Sequence, residues 1–357
     1  MEKVKKPKVL VTFDSMRHPN TGFFFYGRSL SHALLDQNNN RFDFSFYSHK
    51  SVPTGALPSN VRTINKSLLH KIIFPYKFDL VHFSNQYCKP HPALVKGKKT
   101  LTIHDINPYY ERKNNPKKLN RYIKRMRSFI NNCDCVVAIS NFVASEVEKY
   151  FPEVAGKLSV IHNGADALSV PPNFEPKLKP EKPFLFTIGM VCEKKNFHVL
   201  PCLLENNDFE LIIAGIIKGD YKDRILEEAK KYGCEDRVRI IGTISDDEKA
   251  WYYQNCYAFM FPSLAEGFGL PVIEAMHFGK PVFLSRLTSL PEIGGEAAFY
   301  FHSFEPAEMR QAFSEGMKHY ISSEELRTFI KKRAGKFSWN ETANKYLLLY
   351  KYLLKNT

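Results

Sequence analysis

Two glutamates, Glu266 and Glu274, stand with seven residues between them, in a segment that carries Gly267, Gly269 and Pro271. Glycines before a proline-started helix leave backbone N–H groups free to cradle a phosphate. Glu274, expected in the first turn of that helix, would repel a phosphate laid against it and is better suited to neutral hydroxyls such as those of a ribose. Glu266, in the loop before it, could receive the hydroxyls of a sugar. A helix cap plus a surface charge would explain two glutamates, but not both glycines and Pro271 in register with them. Gly189 followed by Lys194-Lys195-Asn196 adds cations near a glycine, and His104 stands where a strand-like run ends. By itself His104 is as well read as a structural histidine as a functional one.

The elements that must position these residues alternate in type. Strand-like runs are expected at 9–13, 43–47, 79–83, 101–103, 135–139 and 158–161, with helices from Gly22, over 116–130 and over 141–150. Residues 162–182 hold four prolines and no apolar period, which marks a linker over 169–182. The alternation then restarts. Strands are expected at 184–188, 210–214, 238–241, 258–261 and 281–284, and helices at 196–204, 220–232, 246–255 and 270–278. This predicts an α/β protein of two doubly wound, Rossmann-like domains, 1–168 and 183–338, facing across a cleft, with a helix over 339–357 that could bridge back to the first. Ligands in such sheets sit beyond the carboxyl ends of the strands, where the candidate residues fall.

The 357 residues, 44% hydrophobic and 25% charged, fit a globular protein too long for one ordinary domain. No apolar window is long enough to cross a bilayer, and MEKVKKPKVLVTF runs from lysines straight into a strand, so a protein neither secreted nor integral to a membrane is expected. Seven cysteines without a CxxC pair read as reduced thiols of a cytosolic compartment. The net charge of +14 is uneven: residues 1–170 carry 26 Lys+Arg against 12 Asp+Glu, and the remainder 25 against 25. The first half should therefore meet an anionic partner. Arg112, Lys113, Lys117, Lys118, Arg121, Lys124, Arg125 and Arg127, interleaved with Tyr109, Tyr110, Tyr122 and Met126, suggest a basic amphipathic helix docking on an anionic membrane, where most such runs are only solvated faces. Lys331, Lys332 and Arg333 read as one of those solvated faces.

The segment PSLAEGFGLPVIEAMHFGKPV, residues 262–282, resembles the E-x7-E signature of retaining glycosyltransferases of the GT-B fold, family 4. The resemblance covers almost the whole chain. Gly189 with Glu193-Lys194-Lys195-Asn196 is similar to the family's diphosphate-binding segment, and IIAG, DRVRIIGTIS and SLPEIGGEAAFYF resemble the segments that accompany it. PNTGFFFYGRSLSHALL, FDLVHFSN, TIHDINPYY, AISNF and VIHNGAD fall in the order the family shows in its first domain.

The resemblance implies that Glu266 contacts the donor sugar and Glu274 the nucleotide ribose. Gly267 and the backbone amides of Phe268, Gly269 and Leu270 would meet the pyrophosphate and sugar, with Lys195 and Lys194 neutralising the diphosphate beside Gly189. Gly242 and Thr243 would lie near the base, Gly22 in a flexible loop closing near the diphosphate, and His104 against the donor sugar. Lys194 replaces the usual arginine and lacks its bidentate fork, and the glycine-rich first loop keeps only Gly22. With no carboxylate evident as nucleophile, front-face attack with the leaving diphosphate assisting deprotonation is expected. The resemblance implies metal independence and no resident cofactor; Asp246-Asp247 reads as a helix cap.

The expected activity is transfer of a hexose from a GDP- or UDP-sugar to a lipid-linked or lipopolysaccharide acceptor, by a cytoplasmic enzyme on the inner face of the cytoplasmic membrane. TIHDINPYY is similar to members that use GDP-mannose and favours mannose, while the loop at Gly242-Thr243-Ile244 does not separate guanine from uracil. An epimerase of the same fold would turn over donor without acceptor, and a degenerate partner subunit would turn over neither. A nucleic-acid binder would show salt-steep binding, but no nucleic-acid motif is present.

Overall fold

The computed structural model describes residues 6–19 and 21–355. Asn20, from the Pro19-Asn20-Thr21 segment, and the first five residues of the basic amino-terminal run lie outside them. The chain forms two compact units, one running through Gly164 and resuming at Ser338, the other Ala165–Phe337. The first therefore closes four residues before the expected boundary at 168. No helix or strand occurs between residues 161 and 183.

The first unit is built on a seven-stranded sheet of β1 (Lys8–Thr12), β2 (Asp43–Ser48), β3 (Arg62–Asn65), β4 (Leu80–Phe83), β5 (Lys98–Ile103), β6 (Cys135–Ala138) and β7 (Leu158–Val160), in the order β3-β2-β1-β4-β5-β6-β7. Every pairing is parallel. Val9 to Val11 and Val136 to Ala138 are fully buried, as strands covered on both faces must be, which is why they read as unbroken apolar runs. The edge strand β3, RTIN, is mostly exposed and has no apolar run, so periodicity misses it.

The carboxyl-terminal helix Trp339–Lys355 belongs to this unit and packs on the helix Gly22–Asp36. Its Tyr346 hydroxyl is 2.8 Å from Thr102 Oγ1, and its Tyr350 hydroxyl 2.7 Å from His82 Nδ1, both under the sheet. Where it begins, a Cβ on Gly164 would lie 2.2 Å from the Trp339 nitrogen, so only glycine fits there.

The second unit holds β8 (Phe184–Ile188), β9 (Glu210–Ala214), β10 (Val238–Gly242), β11 (Ala258–Phe261), β12 (Val282–Ser285) and β13 (Phe299–Phe301). Their order is β10-β9-β8-β11-β12-β13, again all parallel. The expected helix 196–204 is instead a 3-10 segment, Phe197–Leu204, because Pro201 lies inside it and cannot donate to an α-helical ladder. Helix Pro306–Ser322, not read from the sequence, and helix Glu324–Ala334, which carries the Lys331-Lys332-Arg333 run, also belong to the unit. Arg333 is not part of a solvated face: its guanidinium donates to the carbonyls of Ile293 (2.9 Å) and Glu292 and lies over the Phe337 ring, while Lys331 and Lys332 are exposed.

Candidate active site

In the second unit the candidate residues gather at the carboxyl ends of adjacent strands. Gly189 N–H donates to the carbonyl of Ala214 (3.0 Å) and Gly215 N–H to that of Gly242 (2.7 Å), so the ends of β8, β9 and β10 form one line of glycines. A Cβ on Gly215 would sit 1.8 Å from the Gly189 oxygen at φ +134°, which fixes glycine there. Thr243, next in the chain, is exposed.

The loop after β8 delivers Lys195. Asn196 adopts a left-handed conformation, φ 59°, turning the chain between two 3-10 segments and drawing the Lys195 side chain inward. The Lys195 ammonium pairs with the Glu266 carboxylate and lies 4.7 Å over the Phe261 ring; the paired side chains are 11% and 14% exposed. Ser263 Oγ donates to the same Glu266 oxygen (2.6 Å). The structure thus brings together two residues that the sequence reading assigned separately to diphosphate and sugar. An ammonium has three N–H donors, so this pairing leaves Lys195 able to meet an anion as well. Lys194 contributes through its backbone, its carbonyl accepting from Leu264 N–H (2.8 Å) and tying the two loops together. Buried Asn196 Nδ2 has no protein partner, a donor that a bound ligand could satisfy.

Helix Leu270–His277 starts from Gly269, at φ +116°, with no side chain capping its first turn and Pro271 near its start. The uncapped terminus has the polarity a diphosphate needs. Phe268 is buried edge-on to Phe337, and its carbonyl accepts from Ser289 Oγ (2.8 Å), which also reaches the Glu266 carbonyl (3.1 Å). Ser289 and Thr288, whose Oγ1 accepts from Glu266 N–H (3.1 Å), therefore hold the Glu266–Phe268 loop.

Glu274 lies in the second turn of this helix, not the first. Its oxygens accept from Lys249 Nζ and from the Tyr253 hydroxyl, each at 2.9 Å. Burial alone would lower the Lys249 pKa, but Glu274 and Asp246 outweigh it and raise it, so the ammonium persists. Burial, then Glu274, holds the Tyr253 phenol well above its ordinary value. Both partners come from helix Asp246–Asn255, whose N-cap is Ser245 in a capping box with Glu248; Asp246 and Asp247 occupy the first turn and are not the cap.

His104 and Gly22 belong to the first unit. His104 is buried; its Nε2–H donates to the Ser84 carbonyl (2.8 Å), and Tyr26 and Phe23 stand edge-on at 4.5 and 5.0 Å. That bond leaves Nδ1 as an acceptor. Burial lowers its pKa to about 4, so the ring is neutral near pH 7. Gly22 does not lie in a loop but opens the helix Gly22–Asp36, capped by Thr21, whose side chain accepts from Phe24 N–H.

The basic residues of the first unit separate into groups. Arg112 lies over Tyr122 (5.5 Å), Lys113 over Tyr110 (5.0 Å) and Arg125 over Phe129 (4.8 Å), and Arg127 pairs with Glu153 (2.9 Å). Lys117, Lys118, Arg121 and Lys124 are exposed on helix Pro116–Asn131. An open cavity is lined by Glu111, Arg112, Asn115, Lys118 and Arg121.

All seven cysteines are free thiols. Among the described residues no group of three or more His, Cys, Asp or Glu could hold a metal ion, and no helix is long and apolar enough to cross a membrane.

Residues 171–337 match the family model for glycosyl transferases group 1, and residues 31–167 the model for Glycosyltransferase Family 4. Over 284 residues, 73% of this chain, it is 27% identical to the serotype-specific mannosyltransferase WbdA of Escherichia coli, but that stretch is 34% of the relative, so the chain spans about a third of its length. It is 26% identical over 298 residues to the O-antigen chain mannosyltransferase B of Escherichia coli, covering 78% of this chain and 75% of that one. The structure of sucrose-phosphate synthase from Thermosynechococcus elongatus superposes with a TM-score of 0.77 at 17% identity, over 99% of this chain and 100% of that one, a likeness of fold. With two parallel sheets, a glutamate pair in the loop and helix that follow β11, and both family models on the chain, the protein belongs to the group 1 glycosyltransferases of the GT-B fold.

Proposed function

We propose that the protein is a retaining, metal-independent hexosyltransferase, moving mannose from a nucleoside-diphosphate sugar to a lipid-linked or lipopolysaccharide acceptor at the inner face of the cytoplasmic membrane. The observation that carries this is the pairing of Lys195 with Glu266 beside the uncapped start of helix Leu270–His277. A diphosphate there meets a cation and backbone N–H groups, and the sugar it carries meets a carboxylate. Mannose as the hexose is supported by the two Escherichia coli relatives, both of them named as mannosyltransferases.

In the proposed reaction the anomeric carbon–oxygen bond to the diphosphate breaks, and the electron pair stays on the leaving oxygen. Lys195 and the helix terminus stabilise that charge, an effect worth most where it is preorganised. The acceptor hydroxyl attacks from the same face, its proton passing to a diphosphate oxygen, so configuration is retained. Glu274 accepts from the ribose hydroxyls, held in place by Lys249 and Tyr253.

The test is incubation of the full chain with GDP-mannose, and separately with UDP-hexoses, together with bacterial lipid and lipopolysaccharide fractions in the presence of EDTA. Proton NMR of the product should show the anomeric configuration of the donor. An inverted product, a requirement for divalent metal, or turnover to an epimer without acceptor contradicts the proposal.

A further inference from the structure

The four most exposed large apolar side chains among the described residues fall within six positions: Leu68 (77%), Leu69 (72%), Ile72 (71%) and Ile73 (66%). They surround the short 3-10 segment Leu69–Lys71 in the first unit, and nothing in the reaction proposed above uses them. The turn is built, not frayed. Lys71 N–H donates to the Leu68 carbonyl (3.1 Å), and Ile72 and Ile73 N–H to that of Leu69 (2.9 Å each), so the backbone meets its own needs.

Its underside is anchored. Buried His70 accepts through Nδ1 from Ser67 N–H (3.3 Å) and lies 3.2 Å from the Tyr47 hydroxyl. Phe74 packs edge-on against His70 (5.4 Å), Tyr76 (5.3 Å) and Tyr47 (6.0 Å). With its inner positions filled by aromatics, the turn cannot fold its aliphatics inward, and it presents them as a convex apolar tip.

Cations surround the tip. Lys71 lies within it and is exposed, as is Lys77 just beyond. Half-buried Lys89 has its pKa lowered first by burial and then by Arg125, Lys66 and Lys71. Asp14 answers part of that charge through Lys66 (2.6 Å). Arg125 Nε is buried without a partner.

We infer that the Leu68–Ile73 turn is a membrane wedge, its four aliphatics entering the acyl boundary of a bilayer while the exposed Lys71 and Lys77 meet anionic phospholipid headgroups. Aliphatic tips ringed by lysines suit this, because lysine stems lie along apolar surface with their ammonium groups in the headgroup layer. A second copy on this tip would bring two sets of these cations together, which like-charge repulsion opposes. The exposed bases of helix Pro116–Asn131 carry charge without exposed large apolar side chains, so insertion is assigned to the turn and not to that helix. This inference rests on the proposed membrane-borne acceptor.

The test is co-sedimentation of the full chain with phosphatidylcholine vesicles, with and without about one-third phosphatidylglycerol. The proteins are the wild type, the combined Leu68→Ser, Leu69→Ser, Ile72→Ser and Ile73→Ser variant, Lys71→Glu, and a Lys117→Glu, Lys118→Glu, Arg121→Glu, Lys124→Glu variant. The wild type should bind the anionic vesicles, the serine variant at least about tenfold more weakly, and Lys71→Glu more weakly only when phosphatidylglycerol is present. A nucleotide-induced thermal shift, measured in parallel, should be unchanged in all of them. The inference is overturned if the wild type ignores vesicles, if the serine variant binds like the wild type, if the helix variant alone loses binding, or if the serine changes only dissolve a dimer seen by light scattering. Loss of the nucleotide shift in the wild type would instead count against the transferase reading and leave the vesicle result to be judged separately.

Discussion

The ammonium of Lys249 stands 2.9 Å from the Glu274 carboxylate, and the two side chains are 8% and 12% exposed. Glu274 is therefore already oriented before any ligand arrives, its other oxygen fixed by Tyr253. A carboxylate held this way can take a ribose hydroxyl without first losing rotamer freedom, which favours binding. The arrangement also makes Glu274 a structural residue as well as a proposed binding residue, and the two roles separate experimentally.

Glu274→Ala removes the carboxylate that stands 2.9 Å from the buried Lys249 ammonium, leaving Asp246 at 3.5 Å, and should cost roughly 3 kcal/mol of stability by the usual penalty for breaking a buried pair. Glu274→Gln keeps the shape and a hydrogen-bond acceptor and should cost about half of that. Urea denaturation of both variants reads the difference. Equal losses would mean that the charge of Glu274 contributes little.

Lys195→Met should reduce the turnover rate by about 10²- to 10³-fold, the loss typical of one preorganised charge-stabilising donor, and should also lower the thermal midpoint because it leaves the Glu266 carboxylate buried without its cation. Lys195→Arg should recover part of it. Steady-state rates with saturating acceptor check this, and a Lys195→Met variant that turns over normally removes the lysine from the chemistry.

Gly215→Ala should destabilise the second unit by at least about 2 kcal/mol, since its Cβ would overlap the Gly189 oxygen at a backbone angle alanine resists. At Gly22 nothing lies within 4 Å of an added Cβ, so Gly22→Ala should leave the melting temperature unchanged or slightly higher. Differential scanning calorimetry of the two variants is the measurement.

Burial lowers the pKa of His104 to about 4 and that of His82 to about 3. A histidine whose folded pKa is depressed binds its proton more readily when unfolded, so its contribution to stability is full above about pH 6.5 and is lost as pH falls towards the folded value. For His104 this amounts to roughly 3 kcal/mol. The melting temperature should drop steadily from pH 6.5 to 4, and less steeply in His104→Gln. A flat profile in the wild type would show that these rings charge without cost.

The central strands and the E-x7-E loop were legible because each is local: a buried parallel strand is a continuous apolar run, and Gly269-Leu270-Pro271 writes a helix start into adjacent positions. What supports that loop was not. Lys249 and Tyr253 reach Glu274 from 25 and 21 residues away, and Ser289 reaches Phe268 from 21, so no spacing rule joins them. The Ser245 to Glu248 capping box was visible in the sequence, yet the neighbouring aspartates drew the cap assignment because acidic residues are favoured in any first turn. The Leu68–Ile73 turn escaped notice because its apolar residues resemble core when read without their exposure.

The most direct test of the central claim, that the second unit binds a nucleoside-diphosphate sugar through Glu274 and Lys195, is isothermal titration calorimetry with GDP, UDP, ADP, dTDP and CMP and their sugar conjugates, in EDTA, on the wild type and on Glu274→Gln. One nucleoside diphosphate should bind the wild type, and at least about tenfold more weakly to the variant, as loss of a charge-assisted hydrogen bond requires. Binding of none of them, or equal binding to both proteins, would contradict the account.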